Sequence, residues 1–311
     1  MIACFDIGGS AIKYARASSA DQLGALRRVP TPTTDFAAFV AVMADLIGAD
    51  GAVDGIAIAL AGVIDPAHGR IQCANIPCLH GRTLAADLAA ALSRPVWIAN
   101  DADCFALAEA RAGAGRGHGN VFGLILGTGV GGGLVLDGRL LSGAGGFAGE
   151  WGHGPVAAHY AGTPPAAIPR FACGCGQSGC LDTVGGARGL ERLHLALHQM
   201  ERTSTAIVAD WLAGQADAAR TIDCYIDLLS GPLAMLVNTV GASVLPVGGG
   251  LSNSAPLIAR LDLAVRARML RPTTQALLVP GQAGIEPGLI GAAWLGFEQL
   301  ARATGAVATL P

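Results

Sequence analysis

The sequence predicts an α/β protein of two lobes that arose by internal duplication, and three observations carry that reading. Short apolar runs of strand length alternate with helix-period stretches from Ile2 to Ala112, the pattern of a largely parallel sheet with helices packed on it. A strand, a glycine turn and a second strand occur twice, at Phe5–Ala17 and at Leu124–Leu136. The length of 311 residues fits about two domains. The expected lobes are residues 1–115, closed by a C-terminal helix over about 287–303, and residues 116–286. The connection is placed at Gly113–Gly119, read Gly-Ala-Gly-Arg-Gly-His-Gly.

The first element is the apolar run Ile2–Ile7, which meets Gly8-Gly9-Ser10 before a second run from Ala11 to Ala17. Asp6 sits at the end of the first strand, beside backbone amides. A carboxylate there would repel a bare phosphate and suits a phosphate complex bridged by Mg²⁺; a simple turn aspartate is the alternative. Thr33, Thr34 and Asp35 precede a helix-period stretch to about Ile47. Gly55–Gly62 is continuously apolar and reads as a buried strand. Arg70–His80 reads as loop, Thr83–Leu92 as helix and Pro95–Ala99 as the next buried strand.

That strand runs into Asn100-Asp101, and a helix over Ala102–Ala112 begins at once. An aspartate at this place serves as an N-cap or, at the carboxyl end of a strand, as a catalytic group; one residue can do both. The second glycine turn, Leu126–Gly133, reads Leu-Gly-Thr-Gly-Val-Gly-Gly-Gly between two strands, and Asp137-Gly138 ends the second strand as a hairpin dipeptide. Five glycines leave backbone N–H groups uncovered, a surface for phosphate oxygens. An ordinary glycine-rich hairpin would read the same way. The spacing is not that of a P-loop, and a strand rather than a helix follows, so it is no dinucleotide fingerprint.

Glu150 and His153 follow in Gly149-Glu150-Trp151-Gly152-His153, spaced so that a loop could aim both at one ligand. Cys173, Cys175 and Cys180 lie within eight residues, separated mainly by glycine. Three thiols so placed can wrap a structural Zn²⁺. The fourth ligand must come from elsewhere, with His153 the first candidate and His159 its competitor. From Asp182 the chain is mainly helical, over Gly189–Met200, Thr205–Leu212, Ala216–Val240, Ala255–Leu270 and Pro287–Arg302. Strands are expected at Ser243–Val247, leading into Gly248-Gly249-Gly250, and at Gln275–Val279; that glycine turn is a third place for close approach to a nucleotide.

Composition excludes other classes. Charged residues make up 14%, the net charge is −3 and no basic run occurs, so a nucleic-acid partner is not expected. Leu228–Ala259 carries no charge, but Pro232, Asn238, Pro246 and Gly248–Gly250 interrupt it, so a buried helix and strand are expected rather than a membrane span. The start lacks a signal-peptide pattern, and five further cysteines are scattered, which points to a cytoplasmic protein rather than a disulfide scaffold.

Together these motifs resemble the ROK family of sugar kinases and repressors: Asp6-Ile7-Gly8-Gly9-Ser10, Asn100-Asp101, Leu126–Gly133, Gly149–His153, the Cys173–Cys180 cluster, and Gly248–Gly250 with Leu251-Ser252-Asn253. The resemblance covers almost the whole chain. It implies the actin-like ATPase (ribonuclease H-like) duplicated fold, with a cleft between two lobes for ATP and a hexose or hexosamine. It implies that Asp101 is the general base for the sugar 6-hydroxyl, and that Asn75, Asn100, Glu150, His153 and Asp182 contact the sugar. The phosphate-facing segments would be Cys4, Phe5, Asp6, Ile7, Gly8, Gly9, Ser10 and Ala11, and Gly127, Thr128, Gly129, Val130, Gly131, Gly132, Gly133, Leu134, Val135 and Leu136, with Gly249 and Gly250 on the nucleotide. Zinc would be held by His153, Cys173, Cys175 and Cys180.

Asn100–Leu107, Gly123–Leu134, the Cys-Gly-Cys-Gly-Gln cluster and Ala74-Asn75-Ile76-Pro77 are most similar to the subgroup that phosphorylates N-acetylglucosamine. The expected reaction is therefore transfer from MgATP to the 6-hydroxyl of N-acetyl-D-glucosamine, with fructokinase, glucokinase and N-acylmannosamine kinase as alternatives. A homodimer and closure of the lobes over the sugar are also implied. Asp6 stands so near the start that a repressor's helix-turn-helix is not expected before it; a non-catalytic sugar sensor is the alternative of another class. Three departures from the pattern stand out: Asp182 where Glu is usual, Ser10 for Thr, and Ala11 at a place that is often Lys.

Overall fold

The computed structural model describes residues 1–48, 52–73 and 75–305. Ala74, the first residue of the Ala74–Pro77 motif, lies outside the described residues. In chain order the elements are β1 (Ile2–Ile7), β2 (Ala11–Ser19), β3 (Gln22–Leu23), β4 (Arg27–Pro30), α1 (Phe36–Gly48), β5 (Gly55–Leu60), β6 (Val63–Ile64), β7 (Ile71–Gln72), α2 (Leu84–Leu92), β8 (Val96–Asn100), α3 (Asp101–Ala112), β9 (Asn120–Leu126), β10 (Val130–Leu136) and β11 (Arg139–Leu141). There follow β12 (Tyr160–Ala161), β13 (Ala166–Ala167), α4 (Asp182–Gly185), α5 (Ala187–His198), α6 (Ser204–Leu212), α7 (Ala216–Val240), β14 (Leu245–Gly248), α8 (Ala255–Arg266), β15 (Leu278–Pro280) and α9 (Pro287–Ala303).

The chain forms two compact units. The first comprises Met1–Gly113, Arg139–Ala148 and the chain from Ala283 onward; the second comprises Ala114–Gly138 and Gly149–Gln282. Arg139–Ala148 and residues 283–286 thus group with the first unit, although the sequence reading put them in the second lobe.

In the first unit the strand order is β3-β2-β1-β5-β8, with β4 also on β2. β1 is antiparallel to β2 and parallel to β5, which is parallel to β8. β1 is buried on both faces, and its alternation shows how. Ala3, Phe5 and Ile7 join a core with residues of α1 and α2, while Ile2 and Cys4 join another with residues of α3 and α9. The approach of α9 is close: a Cβ on Gly291 would strike the Cys104 backbone, and one on Gly296 would meet Ile2 and Ala57.

In the second unit the order β10-β9-β14-β15 repeats that scheme. β9 is antiparallel to β10 and parallel to β14, which is parallel to β15. Its core joins β9, β10 and β14 to helices α5 to α8 through residues such as Leu124, Leu190, Tyr225, Leu229 and Ile258. Each sheet is therefore mixed rather than largely parallel, because the hairpin that starts each half contributes an antiparallel pair.

The expected helix Ala216–Val240 stands as α7; it runs through Pro232 to Gly241, which takes φ 64° as C-cap. Its flanking apolar face, Leu228, Leu229, Leu233, Ala234 and Val237, is buried, and that packing outweighs the lost backbone hydrogen bond. Arg70–His80 is not featureless loop: it holds β7, paired with β6, and a 3₁₀ turn at Pro77–Leu79. Among the described residues no helix is long and apolar enough to cross a membrane.

Candidate active site and metal centre

The first unit carries a turn and a carboxylate at the carboxyl ends of β1 and β8, the two strands that flank β5. In β1–β2 the turn Gly8-Gly9-Ser10 is closed by the Gly8 N–H donating to Ala11 O (3.1 Å) and braced by the Thr31 hydroxyl donating to Gly8 O (2.7 Å). Gly9 abuts Asn75, whose side chain is exposed. Cys4, Phe5 and Ile7 are buried within β1 and support the turn from inside the sheet.

Asp6 pairs across the hairpin with Lys13. The Lys13 ammonium lies 3.1 Å from Asp6 Oδ2 and 2.7 Å from Glu286 Oε2. Burial works against that ammonium, but the bonds and charges of Glu286 and Asp6 outweigh it and hold its pKa above the ordinary lysine value. Gly288, in the first turn of α9, leaves room for the Asp6 carboxyl, which a Cβ would meet at 2.9 Å. This Lys13–Asp6–Glu286 group was not found from the sequence. The available signal was the hairpin itself, which makes residues 6 and 13 partners across a three-residue turn.

At the end of β8 the division of labour is clear. Asn100, not Asp101, is the N-cap of α3: its Oδ1 accepts from the Ala102 N–H (2.8 Å), while Nδ2 donates to Gly62 O (2.9 Å). Asp101 is the first helical residue, and its Oδ1 also accepts from the Ala102 N–H (2.9 Å). Its outer surface is exposed, yet protein crowds the carboxyl on its other sides. That desolvation, and then the negative charge of Asp6, push its pKa above the ordinary carboxylate value.

The second unit carries the other glycine turn. Gly127-Thr128-Gly129 links β9 to β10, with the Gly127 N–H donating to Gly129 O (3.0 Å). Thr128 is exposed; Gly132, Gly133, Leu134 and Val135 are buried in β10, and Leu136 closes the strand. Beside this turn Gly249 takes φ 87°, and a Cβ on it would lie 2.5 Å from the Leu126 backbone. Gly249 and Gly250 are both exposed there.

His153, Cys173, Cys175 and Cys180 come together, with ligand atoms all within 4.8 Å of one another. Cys173 Sγ is 3.6 Å from His153 Nδ1, and Cys175 Sγ is 3.6 Å from Cys180 Sγ. Tetrahedral zinc with sulfur bonds near 2.3 Å spaces its sulfurs roughly 3.8 Å apart, so the four groups fit such an ion. His159 is not in this cluster; its Nε2 lies 3.4 Å from Arg170 Nη1. His153 Nε2 stands 3.7 Å from Glu150 Oε2, the carboxylate–histidine arrangement that orients a metal-binding imidazole. Burial raises the Cys173 thiol to about 12, whereas the Gln177 N–H, chiefly, lowers exposed Cys175 to about 7. Asp182 turns its carboxylate toward the glycine turn: Oδ1 accepts from the Val130 N–H (3.0 Å), and Oδ2 lies 3.8 Å from Cys173 Sγ.

The model of the ROK family matches residues 2–299. An N-acetylgalactosamine kinase from Shewanella sp. (strain ANA-3) is 39% identical over 295 residues, covering 94% of this chain and 95% of its own. An N-acetyl-D-glucosamine kinase from Yersinia pseudotuberculosis is 35% identical over 295 residues, covering 94% and 97%. The ROK hexokinase of Thermus thermophilus superposes with a TM-score of 0.82 at 29% identity, over 96% of this chain and 99% of that one. A ROK glucokinase from Streptomyces griseus, solved with glucose and AMPPNP, gives a TM-score of 0.73 at 26% identity, over 94% and 98%. By sequence and by its duplicated, actin-like ATPase fold, the chain belongs to the ROK family.

Proposed function

We propose that the chain is a sugar kinase that transfers the γ-phosphoryl group of ATP to the 6-hydroxyl of an N-acetylhexosamine, with N-acetyl-D-glucosamine the first candidate. The observation that carries this is similarity over 94% of the chain to kinases of N-acetylated hexosamines. N-acetylgalactosamine is the second reading, favoured by the 39% identical relative.

Phosphoryl transfer is mostly positioning and charge stabilisation. The turns Gly8–Ser10 and Gly127–Gly129 hold phosphate oxygens on backbone N–H groups, and Gly249 and Gly250 border the nucleoside. Asp101 accepts the 6-hydroxyl proton; its raised pKa and exposed position support this. Asn100 has one Nδ2 proton beyond its bond to Gly62 O, and with Asn75, Glu150 and His153 Nε2 it binds the other sugar groups. Asp6 keeps Oδ1 for magnesium, Oδ2 being held by Lys13. Bound Mg²⁺ would neutralise phosphate charge. Zinc on His153 and the three cysteines would be structural, fixing the Glu150–His153 loop. A cytoplasmic homodimer, as family membership suggests, completes the proposal.

A coupled ADP assay with N-acetylglucosamine, N-acetylgalactosamine, N-acetylmannosamine, glucose and fructose tests it. The expected result is the highest kcat/KM with one of the first two sugars. No ADP release with any of them would refute the kinase reading and favour a sugar sensor.

A further inference from the structure

The glycine turn of the second unit is held from one side by the segment that follows the last cysteine. The Val130 N–H donates to Asp182 Oδ1 at 3.0 Å. The Ala187 N–H donates to Gly127 O at 2.7 Å, and the Arg188 N–H to Thr128 O at 3.3 Å. Gly129 has no side chain at the place where Asp182 reaches in; a Cβ there would strike Asp182 Oδ1. One reason for glycine at this position is therefore internal: it admits a carboxylate of the same protein.

Asp182 is also fixed to the metal centre from two directions. It stands two residues after Cys180, and its own N–H donates to Gly152 O (2.9 Å), the neighbour of His153. Its Oδ2 lies 3.8 Å from Cys173 Sγ. Two loops bring these ligands together, joined by backbone bonds such as the Ala157 N–H to Gly179 O (3.0 Å) and by a weaker one to sulfur, the Gly154 N–H to Cys180 Sγ at 3.4 Å. An ion holding all four ligands would fix both flanks of Asp182 at once.

We propose that Asp182 is a positioning residue that couples the metal centre to the nucleotide turn, so that metal loss or loss of this carboxylate weakens nucleotide binding. The inference rests on the reading that Gly127–Gly129 receives the nucleotide.

The test measures binding of a non-hydrolysable ATP analogue with magnesium, and separately of N-acetylglucosamine, by calorimetry. It compares wild type, Asp182→Ala and Asp182→Asn, with zinc content measured in each, and wild type and Asp182→Ala after removal of metal by a chelator under reducing conditions. Asp182→Ala should keep its zinc and weaken the analogue about tenfold, the scale of one hydrogen bond to a charged group. Asp182→Asn keeps the acceptor and should recover most of the loss. Metal-stripped wild type should weaken like Asp182→Ala, and stripping that variant should add little, since the two act through one link. Fully additive effects, or a loss confined to sugar affinity, would overturn the coupling. Should Asp182→Ala not fold, faster amide exchange at Val130 in stripped wild type supports the link, and unchanged exchange overturns it. Wild type that binds no analogue overturns the kinase reading itself; wild type that binds with Asp182→Ala unchanged overturns only the coupling.

Discussion

The proposed general base, Asp101, shares the Ala102 N–H with Asn100, the N-cap of its helix. With that cap kept, replacing Asp101 should remove the proposed base at little structural cost. Asp101→Asn is expected to lower kcat by roughly 10²–10⁴, the range of a general base, with sugar affinity kept. The pH dependence has a definite sign. Burial and Asp6 raise the Asp101 pKa, so the base is lost on acidification at a pH above the ordinary carboxylate value of about 3.9. The acid limb of kcat should therefore lie above that value and vanish in Asp101→Asn; an unchanged limb in the variant would assign it to another group. For stability the same shift runs the other way. The folded protein holds this proton more tightly than the unfolded chain, so the contribution is present at low pH and fades as pH rises through the folded pKa. Lys13 offers a second residue-scale prediction. Lys13→Met leaves Asp6 and Glu286 without the ammonium they share. The expected outcome is a KM for MgATP raised about tenfold, the scale of a lost hydrogen bond to a charged group. The double variant Ala11→Lys, Lys13→Ala keeps a lysine on the same face of β2 and should recover part of the loss. A Lys13→Met enzyme with unchanged KM and kcat would remove this ammonium from the phosphate site.

The elements were legible wherever a period or a punctuating residue carried the information. Both hairpins, the helix after Asp35 and the strand ending at Asn100 stand where the residues put them, because apolar runs bounded by glycine or by caps leave few alternatives. Asp137 and Gly138 take φ 46° and 71°, the conformations that an Asp-Gly hairpin turn requires. Pro232 leaves the expected helix Ala216–Val240 whole: its effect is local, whereas the packed face of α7 extends over several turns and prevails. The glycines were read correctly in place and incompletely in cause. None of Gly8, Gly9, Gly127 or Gly129 has positive φ. At Gly129 the missing side chain makes room for Asp182, a residue more than fifty positions away. Such a reason belongs to tertiary contacts, and no spacing within the motif could carry it. The same holds for Lys13, whose partner Glu286 comes from the far end of the chain.

At the scale of the whole molecule, duplication explains why one order, hairpin then two parallel strands, appears in both sheets. It does not explain why the first unit is discontinuous in sequence. That unit is left at Gly113 and rejoined for good at Ala283, so its last helix must return to finish it. α9 supplies Leu289, Ala292, Ala293, Trp294 and Leu295 to the core that holds Ile2, Cys4, Ala57 and Cys104. Burying a large apolar side chain contributes about 1.5–3 kcal/mol, so three such residues account for a sum comparable with the roughly 5–15 kcal/mol that holds a whole protein folded. A chain ending after Glu286 should therefore lose amide protection throughout β1 and β5. The His153–Cys173–Cys175–Cys180 cluster lies wholly in the second unit, as does the core around Tyr225 and Leu229, and the truncated chain should hold the proposed zinc as the full chain does if the second unit folds by itself. Hydrogen exchange with mass spectrometry, read alongside zinc content, separates the outcomes. Protection of β1 and β5 surviving in the truncated chain would mean that the first unit does not need α9, and the assignment of that helix as its closing element would fall.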